Sequence, residues 1–481
     1  MVRILLRVTA VLGMVLIPFL SVNSRAEDQQ NQTQIAKSPQ ESQIEQLKQE
    51  IEAIQNQNQK QIEELQKKIE QLEAQNKETQ ELGKKAEGLV STESWFNKFE
   101  AGYNQGMYIK TKDGNWTLRF WDLTQPTLFF EENKNANNTK TVSFQLTKER
   151  FIFSGNAVFP WLKYRLHFAA DKGSGVIAKD LFIDAARFPE ASVRVGQFVV
   201  PFDREIITFD SYFEFWDRGI VNQQFTLERD IGVMLYGILF NNKFEYSGGV
   251  FNGAGLNVAQ NPNGTNLLYT GRMVLYPFGK YNDQDRYFNM YNTYDYTQGD
   301  PIGLTTPLLA IGVGFAGLPN FNPNTETGVS RQNLINTIFA INPKAQSADV
   351  FQFTGDITLK YYGFAFEAQY ELERIFGIVS SVPGSNTNAQ TEQGLRLQAG
   401  YYFVPHELEL AFRYGIADKF CQNNIAKVGC QKEQEFTPGL NYLIHGYNAK
   451  ITLNYSLLLQ DNPTGGTLKD NRIFIQPQLW F

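Results

Sequence analysis

The chain has 481 residues, and its 44 Lys and Arg against 50 Asp and Glu give a formal charge of −6. That length allows one large domain or two to three ordinary ones. A mean hydropathy of −0.34 excludes a bundle of membrane-spanning helices, and the acidic balance argues against nucleic acid as a partner. With 2 Cys and 3 His, little material exists for a metal cluster, and no cofactor site is expected. What stands out instead is Phe (38), Tyr (22) and Gly (38), a composition that suits strands and turns.

Residues 1–26 read as an export signal: Arg3 and Arg7 open it, Val8 to Leu20 form an apolar run, and Ser24-Arg25-Ala26 supplies a small-residue cleavage site. The run is short for a membrane anchor, the competing reading. Cleavage would remove Arg3, Arg7 and Arg25 and take the formal charge from −6 to −9. Residues 27–40 form a polar, Gln/Asn-rich linker with the composition of a disordered segment.

Over 41–87, apolar residues recur at Ile44, Leu47, Ile51 and Ile54, then at Ile62, Leu65, Ile69 and Leu72. Alternating steps of three and four are the seam of a coiled coil. Between Ile51 and Ile62 the phase jumps across Gln55 to Gln59, a stutter that relaxes the supercoil. The spacing predicts a short oligomerising helix, a dimer or a trimer, ended by Gly83 and Gly88. A solvated single helix is the bland alternative.

Beyond Trp116 the period changes to two. In Lys450-Ile451-Thr452-Leu453-Asn454-Tyr455-Ser456-Leu457 the apolar and polar residues alternate strictly, as they do around Glu407 to Tyr414, Arg396 to Tyr401 and Lys163 to Phe168. Sixteen such strands are predicted, at 117–130, 143–156, 161–170, 176–186, 191–199, 230–240, 243–252, 265–276, 308–316, 350–360, 362–373, 393–403, 406–416, 434–444, 447–459 and 471–481. Links after even-numbered strands are tight and those after odd-numbered ones long, the signature of an outer-membrane β-barrel. The long link 277–307 breaks that rule and reads as an excursion on the periplasmic side. A soluble sandwich or propeller is the alternative. The final strand places Ile473, Ile475, Pro477, Leu479 and Phe481 on one face. Its terminal Phe481 resembles the signal read by the barrel assembly machinery. The predicted fold is therefore all-β: a sixteen-stranded antiparallel transmembrane barrel over 100–481, after an N-terminal coiled-coil helix.

The runs Arg194-Val195-Gly196-Gln197-Phe198-Val199-Val200-Pro201-Phe202, Arg218-Gly219-Ile220-Val221-Asn222 and Arg229-Asp230-Ile231-Gly232-Val233 resemble the phosphate-selective porin O and P family. So does the stretch from Gly102-Tyr103 through Tyr108 to Asn115. The resemblance implies a homotrimer of sixteen-stranded barrels in outer-membrane lipid. It also implies that the loop at about 200–229 folds inward and narrows the pore. Family pores that select phosphate are lined by Arg and Lys. By alternation Lys163, Arg165, Arg194, Lys360, Arg396, Arg413, Lys450 and Arg472 should face inward, with Asp356, Glu367, Glu407 and Glu409 among them. The inward loop departs from the family: Arg204, Arg218 and Arg229 meet Asp203, Glu205, Asp210, Glu214, Asp217, Glu228 and Asp230, a sum of −4 with no Lys. The resemblance, together with the strand bases, implies anions such as phosphate, whereas the acidic loop predicts a general, cation-preferring or carbohydrate pore.

Three further signals fit this reading. Gly312-Val313-Gly314-Phe315-Ala316-Gly317 matches a dinucleotide pattern but lies in a predicted strand with no helix after it, so it carries no such site. Cys421 and Cys430, nine residues apart in a long exported loop, are expected to form a disulfide. His167, His406 and His445 have no nucleophile context, so an enzyme is not expected. A porin for small hydrophilic solutes is the main functional reading, and a coiled-coil tether to the cell wall is the other class.

Overall fold

The computed structural model describes residues 39–89, 98–104, 106–133, 139–173, 175–281, 293–325, 331–419, 431–461 and 466–481. The export signal, most of the 27–40 linker, Cys421 and Cys430 lie outside the described residues. The chain divides into two units, residues 1–93 and 94–481.

The first unit contributes one helix, α1 (Pro39–Leu89). Leu47, Ile51, Ile54, Ile62, Leu65, Ile69 and Leu72 are all exposed on it, a continuous apolar seam. The helix passes Gly83 and stops one residue beyond Gly88.

The second unit opens with a hairpin, β1 (Phe99–Tyr103) and β2 (Met107–Thr111). Then come β3 (Thr117–Asn133), β4 (Thr139–Asn156), β5 (Leu162–Ala169), β6 (Ile177–Phe188), β7 (Ala191–Val199), β8 (Arg229–Leu239), β9 (Phe244–Phe251) and β10 (Leu268–Leu275). The second half runs through β11 (Leu308–Phe321), β12 (Ala345–Tyr361), β13 (Phe364–Ser380), β14 (Gln390–Val404), β15 (Leu408–Lys419), β16 (Gln431–His445), β17 (Ala449–Asp461) and β18 (Thr467–Trp480). From β3 onward each strand pairs antiparallel with the next, and β18 returns to β3 from Asp470↔Asn133 to Trp480↔Leu123. These sixteen strands close a barrel, and each coincides with one of the sixteen predicted spans. The β1–β2 hairpin was not anticipated; it adds to the free start of β3, where Met107 lies opposite Phe120.

The polarity of the wall is the reverse of a water-soluble protein's. On β17, Lys450, Thr452, Asn454 and Ser456 are 3%, 1%, 0% and 3% exposed, while Ile451, Leu453 and Tyr455 are 39%, 43% and 40% exposed. A sandwich buries the opposite set. With all edges paired, the barrel satisfies its backbone within itself and presents hydrocarbon outward, as a bilayer requires. Exposed Phe159, Phe240, Tyr361, Tyr362 and Phe403 gather at the tight-turn end, where an aromatic girdle belongs.

Gly196 is the tightest backbone position in the β6–β7 pair. Its φ is +133°, and a Cβ there would fall 2.2 Å from the carbonyl oxygen of Leu181. Gly196→Val should therefore lose the backbone conformation, worth about 1–3 kcal/mol, and add a clash with β6. Refolding yield measured by heat-modifiable migration should fall sharply, with the residual folded fraction less resistant to urea.

Candidate functional site

The barrel interior is occupied by two segments that enter from opposite ends. The first is the β7–β8 connection, residues 200–228, which enters from the long-loop end. Asp203 caps a four-residue helix, α2 (Arg204–Ile207), by accepting from the Ile206 N–H at 2.8 Å. A second short helix, α3 (Ile220–Phe225), returns the chain toward β8. Between them the segment descends to the tight-turn end, where Tyr212 packs edge-on against Trp480 and Tyr447. The second insert, residues 293–304, comes from the exceptional link between β10 and β11. The two meet inside: the Gln298 N–H donates to the Tyr212 carbonyl at 3.2 Å, and Gln298 Oε1 accepts from the Glu214 N–H at 2.9 Å. Arg204 Nη2 reaches the Asp295 carbonyl at 2.5 Å.

The wall that receives the inserts has two characters. One side is apolar, where Val200, Phe202, Ile206, Ile207 and Leu227 pack with Phe198, Phe251 and Leu318 under a helix, α4 (Gln332–Ile341), carried by the β11–β12 loop. The other side is charged. Arg204 Nε donates to Glu367 at 2.9 Å, Arg396 pairs with Glu367 at 3.0 Å and Glu205 at 3.4 Å, and Arg413 binds Glu435 at 2.6 Å. Arg150 and Arg218 both hold Asp210 at 3.0 Å, and Lys148 holds Asp217 at 3.0 Å. Burial pushes the Asp210 carboxyl up, but Lys148, Arg218 and Arg150 outweigh it and keep it well below the usual carboxylate range. At Asp203 the balance is reversed: burial, with Glu205 adding to it, outweighs the Ile206 N–H and the more distant Arg272 and Arg218, and raises the carboxyl to about 6.

The bases read from alternation do face inward, but they do not line open water. Arg165, Arg194, Lys360, Arg396, Arg413 and Lys450 are buried, and only Lys163 and Arg472 are partly exposed. Each buried one is engaged. Arg194 pairs with Asp184 at 2.8 Å, and Arg165 lies 3.7 Å from Asp180. Lys360 donates to the Tyr294 carbonyl at 2.8 Å, and Lys450 donates to the Phe213 carbonyl. Arg472 pairs with Glu131 at 3.0 Å. For Lys360, Arg396, Arg413 and Lys450 the physical reason is the depth of the inserts, whose carboxylates and carbonyls take these bases, whereas Arg165 and Arg194 are held by carboxylates of the neighbouring strand β6. Glu407 is a further correction, since it lies exposed in the β14–β15 turn and not on a strand face. His167 is buried against Asp180 at 2.8 Å, and His406 and His445 sit at the tight-turn end.

Sequence reasoning missed the second insert's partners. Tyr296 and Lys280 both donate to Glu245, and Arg272 pairs with Asp356 at 2.7 Å. The one signal was the misplaced long link with its Tyr294-Asp295-Tyr296 run. Also missed was the use of inward glycines. A Cβ at Gly314, Gly394, Gly400 or Gly439 would meet Phe202, Val221 and Phe225, Glu214, or Phe215, so these positions make the groove that admits the insert. The glycine pattern around Gly314 serves this packing. At the tight-turn end a cavity of about 220 Å³ remains, lined by Tyr212, Tyr294, Tyr447 and Trp480.

No family model matches the sequence, and no curated protein matches it. Among solved structures, it is similar to an anion-selective porin from Comamonas acidovorans at 12% identity, covering 76% of this chain and 99% of that one, TM-score 0.49. The outer membrane channel DcaP of Acinetobacter baumannii is 11% identical over 79% of this chain and 100% of that one, TM-score 0.48. Salmonella typhi OmpF, in complex with daunomycin, is 13% identical over 79% and 100%, TM-score 0.47. The sixteen-strand closure rests on the pairings described above.

Arg413 tests how the insert is held. Arg413→Met leaves Glu435 and Glu205 without this base, and removing one member of a buried pair costs about 3–5 kcal/mol. The far-ultraviolet strand signal should persist while the near-ultraviolet signal of the packed aromatics melts at lower temperature.

Proposed function

We propose that the protein is an outer-membrane channel through which small hydrophilic solutes diffuse passively, with the 200–228 insert as its restriction. The observation that carries this reading is the inverted wall: exposed Leu, Ile and Tyr outside, and polar side chains inside around a removable loop. An export signal followed by a closed barrel fits the outer membrane, and Phe481 at the chain end fits recognition by the assembly machinery. On this reading the docked inserts close the passage, and conduction requires part of the 200–228 segment to leave the wall. Replacing residues 203–225 with a short Gly/Ser linker should raise single-channel conductance several-fold in planar bilayers.

The sign of selectivity follows from what remains once the ion pairs are made. Among the described residues, 19 buried Asp and Glu stand against 14 buried Lys and Arg. A low-dielectric passage with surplus carboxylates favours cations and neutral solutes. A second reading, phosphate and other anions, is supported by the sequence resemblance and by the partly exposed Lys163. Reversal potentials under a potassium chloride gradient, and then with phosphate replacing chloride, separate the two. Cation preference without phosphate block supports the first. Chloride preference with phosphate blocking at low concentration supports the second.

We also propose that α1 oligomerises on the periplasmic side, as a trimer, because its Leu and Ile seam is exposed among the described residues. Deleting residues 27–90 should reduce the cross-linked trimer and leave single-channel conductance intact. Lost function in cells with intact conductance would favour the cell-wall tether.

A further inference from the structure

Two pairs of carboxyl groups join the 200–228 insert to the barrel wall, and neither pair is neutralised by a base of its own. Glu214 on the insert faces Glu409 on β15, and both are buried. Gln398 Nε2 donates to Glu214 Oε2 at 2.5 Å, and Asn441 Nδ2 donates to Glu409 Oε2 at 2.9 Å. Each Oε1 is buried without a hydrogen-bond partner. A Cβ at Gly400 would fall 2.3 Å from Glu214 Oε1 and 2.8 Å from Glu409 Oε1, so the two oxygens face one another across the space that glycine leaves. The second pair is Asp203 on the insert and Glu371 on β13. A single amide, Gln369 Nε2, serves both, reaching Asp203 Oδ1 at 3.5 Å and donating to Glu371 Oε1. Asp203 Oδ2 and Glu371 Oε2 are likewise buried and unpartnered.

The groups around the first pair come from five other elements: Lys360 on β12, Glu367 on β13, Tyr402 on β14, Lys450 on β17 and Tyr447 in the β16–β17 turn. Around the second stand Glu205 and Arg218 on the insert, Arg272 on β10 and Arg396 on β14. The four wall bases are occupied: Lys360 and Lys450 by insert carbonyls, Arg272 by Asp356, and Arg396 by Glu367 and Glu205. Arg218 is held by Asp210. Two carboxyl groups sharing one buried space do not both ionise; one keeps a proton and donates it to the other.

We propose that these two pairs are proton-held latches that fasten the insert to the wall, and that their ionisation releases it, so the passage opens as pH rises. The proposal rests on the channel reading given above. Burial pushes the Glu214 carboxyl up from its ordinary value, and Asp203 from 3.8 to about 6. A carboxyl raised in the docked state favours docking while protonated. That contribution is lost as pH climbs from the ordinary carboxylate range toward the raised value. For Asp203 the window runs from about 4 to about 6, and for Glu214 it extends upward from its ordinary value.

Hydrogen exchange of the amides in 209–225 tests the latch on the full-length protein in detergent. After correction for the intrinsic pH dependence, wild-type protection should fall about tenfold or more between pH 5 and pH 8. The double variant Glu409→Gln with Glu371→Gln supplies a permanent donor in each pair in place of the shared proton, so its protection should stay high at pH 8; Glu214→Gln with Asp203→Asn should behave alike. A residue with only a packing role would give the opposite result, a loosened insert in both variants, and that outcome overturns the latch. Equal protection at both pH values in wild type also overturns it. Heat-modifiable migration confirms that each variant is folded. Bilayer conductance, recorded on the same samples, should rise with pH in wild type and stay low in the variants. A pH-dependent insert with no conductance at any pH would leave the latch standing and sink the channel reading.

Discussion

The structure depends on neutralising an acidic segment against the bases of a wall that carries both signs of charge. The 200–228 insert cannot enter a barrel lumen unless its backbone groups and carboxylates find partners there, because a buried peptide group or charge without one is costly. Arg150, Lys148, Arg396 and Arg413 on the strands meet Asp210, Asp217 and Glu205 on the insert. Wall amides and carboxylates complete the set. Asn454 accepts from the Trp216 N–H at 2.8 Å and Glu435 from the Ile220 N–H at 3.0 Å. Sequence alone presents the acidic loop and the basic strand faces as a contradiction about selectivity. In the folded barrel they are two halves of one contact.

That contact also explains which parts of the protein can be read from sequence. Strand positions follow from a period of two, which is local: Lys450 and Ile451 declare opposite faces without reference to any other segment. All sixteen barrel strands, and the inward direction of Arg396 or Arg413, are legible on that basis. The partner of an inward side chain is not, because Arg413 meets Glu435 at a separation of 22 residues and the Asp217 carbonyl at 196. Alternation says that Lys360 leaves the bilayer, but not that Tyr294 and Thr297 wait for it on the other side. The β1–β2 hairpin escaped notice for a different reason: its five-residue strands are exposed or half-exposed and carry too few residues to establish a period.

Glycine carries information here that residue-level alternation hides. Gly394, Gly400, Gly415 and Gly439 occupy inward positions on the adjacent strands β14, β15 and β16, and the insert presses Val221, Glu214, Ile220 and Phe215 into the hollows they leave. Side-chain-free positions on a barrel wall mark the places where another backbone or side chain comes close. A run of inward glycines across neighbouring strands is therefore a footprint of the insert, available before the structure once the strands are aligned.

The residues that carry the resemblance to phosphate-selective porins have architectural duties. Arg229 holds Asp180 at 2.9 Å, and Asp230 holds Arg331 at 3.2 Å and accepts from the Gly255 N–H at 3.1 Å. A Cβ at Gly232 would strike the Val250 carbonyl at 2.3 Å, and Gln197 ties β7 to the Ala178 and Lys179 carbonyls. Together they fix the two strand ends from which the insert is hung. On the proposed channel reading, selectivity falls instead to the place where the insert meets the wall, where buried carboxylates outnumber buried bases among the described residues. The Arg229-to-Gly232 run thus accounts for how the insert is anchored, and not for what passes it.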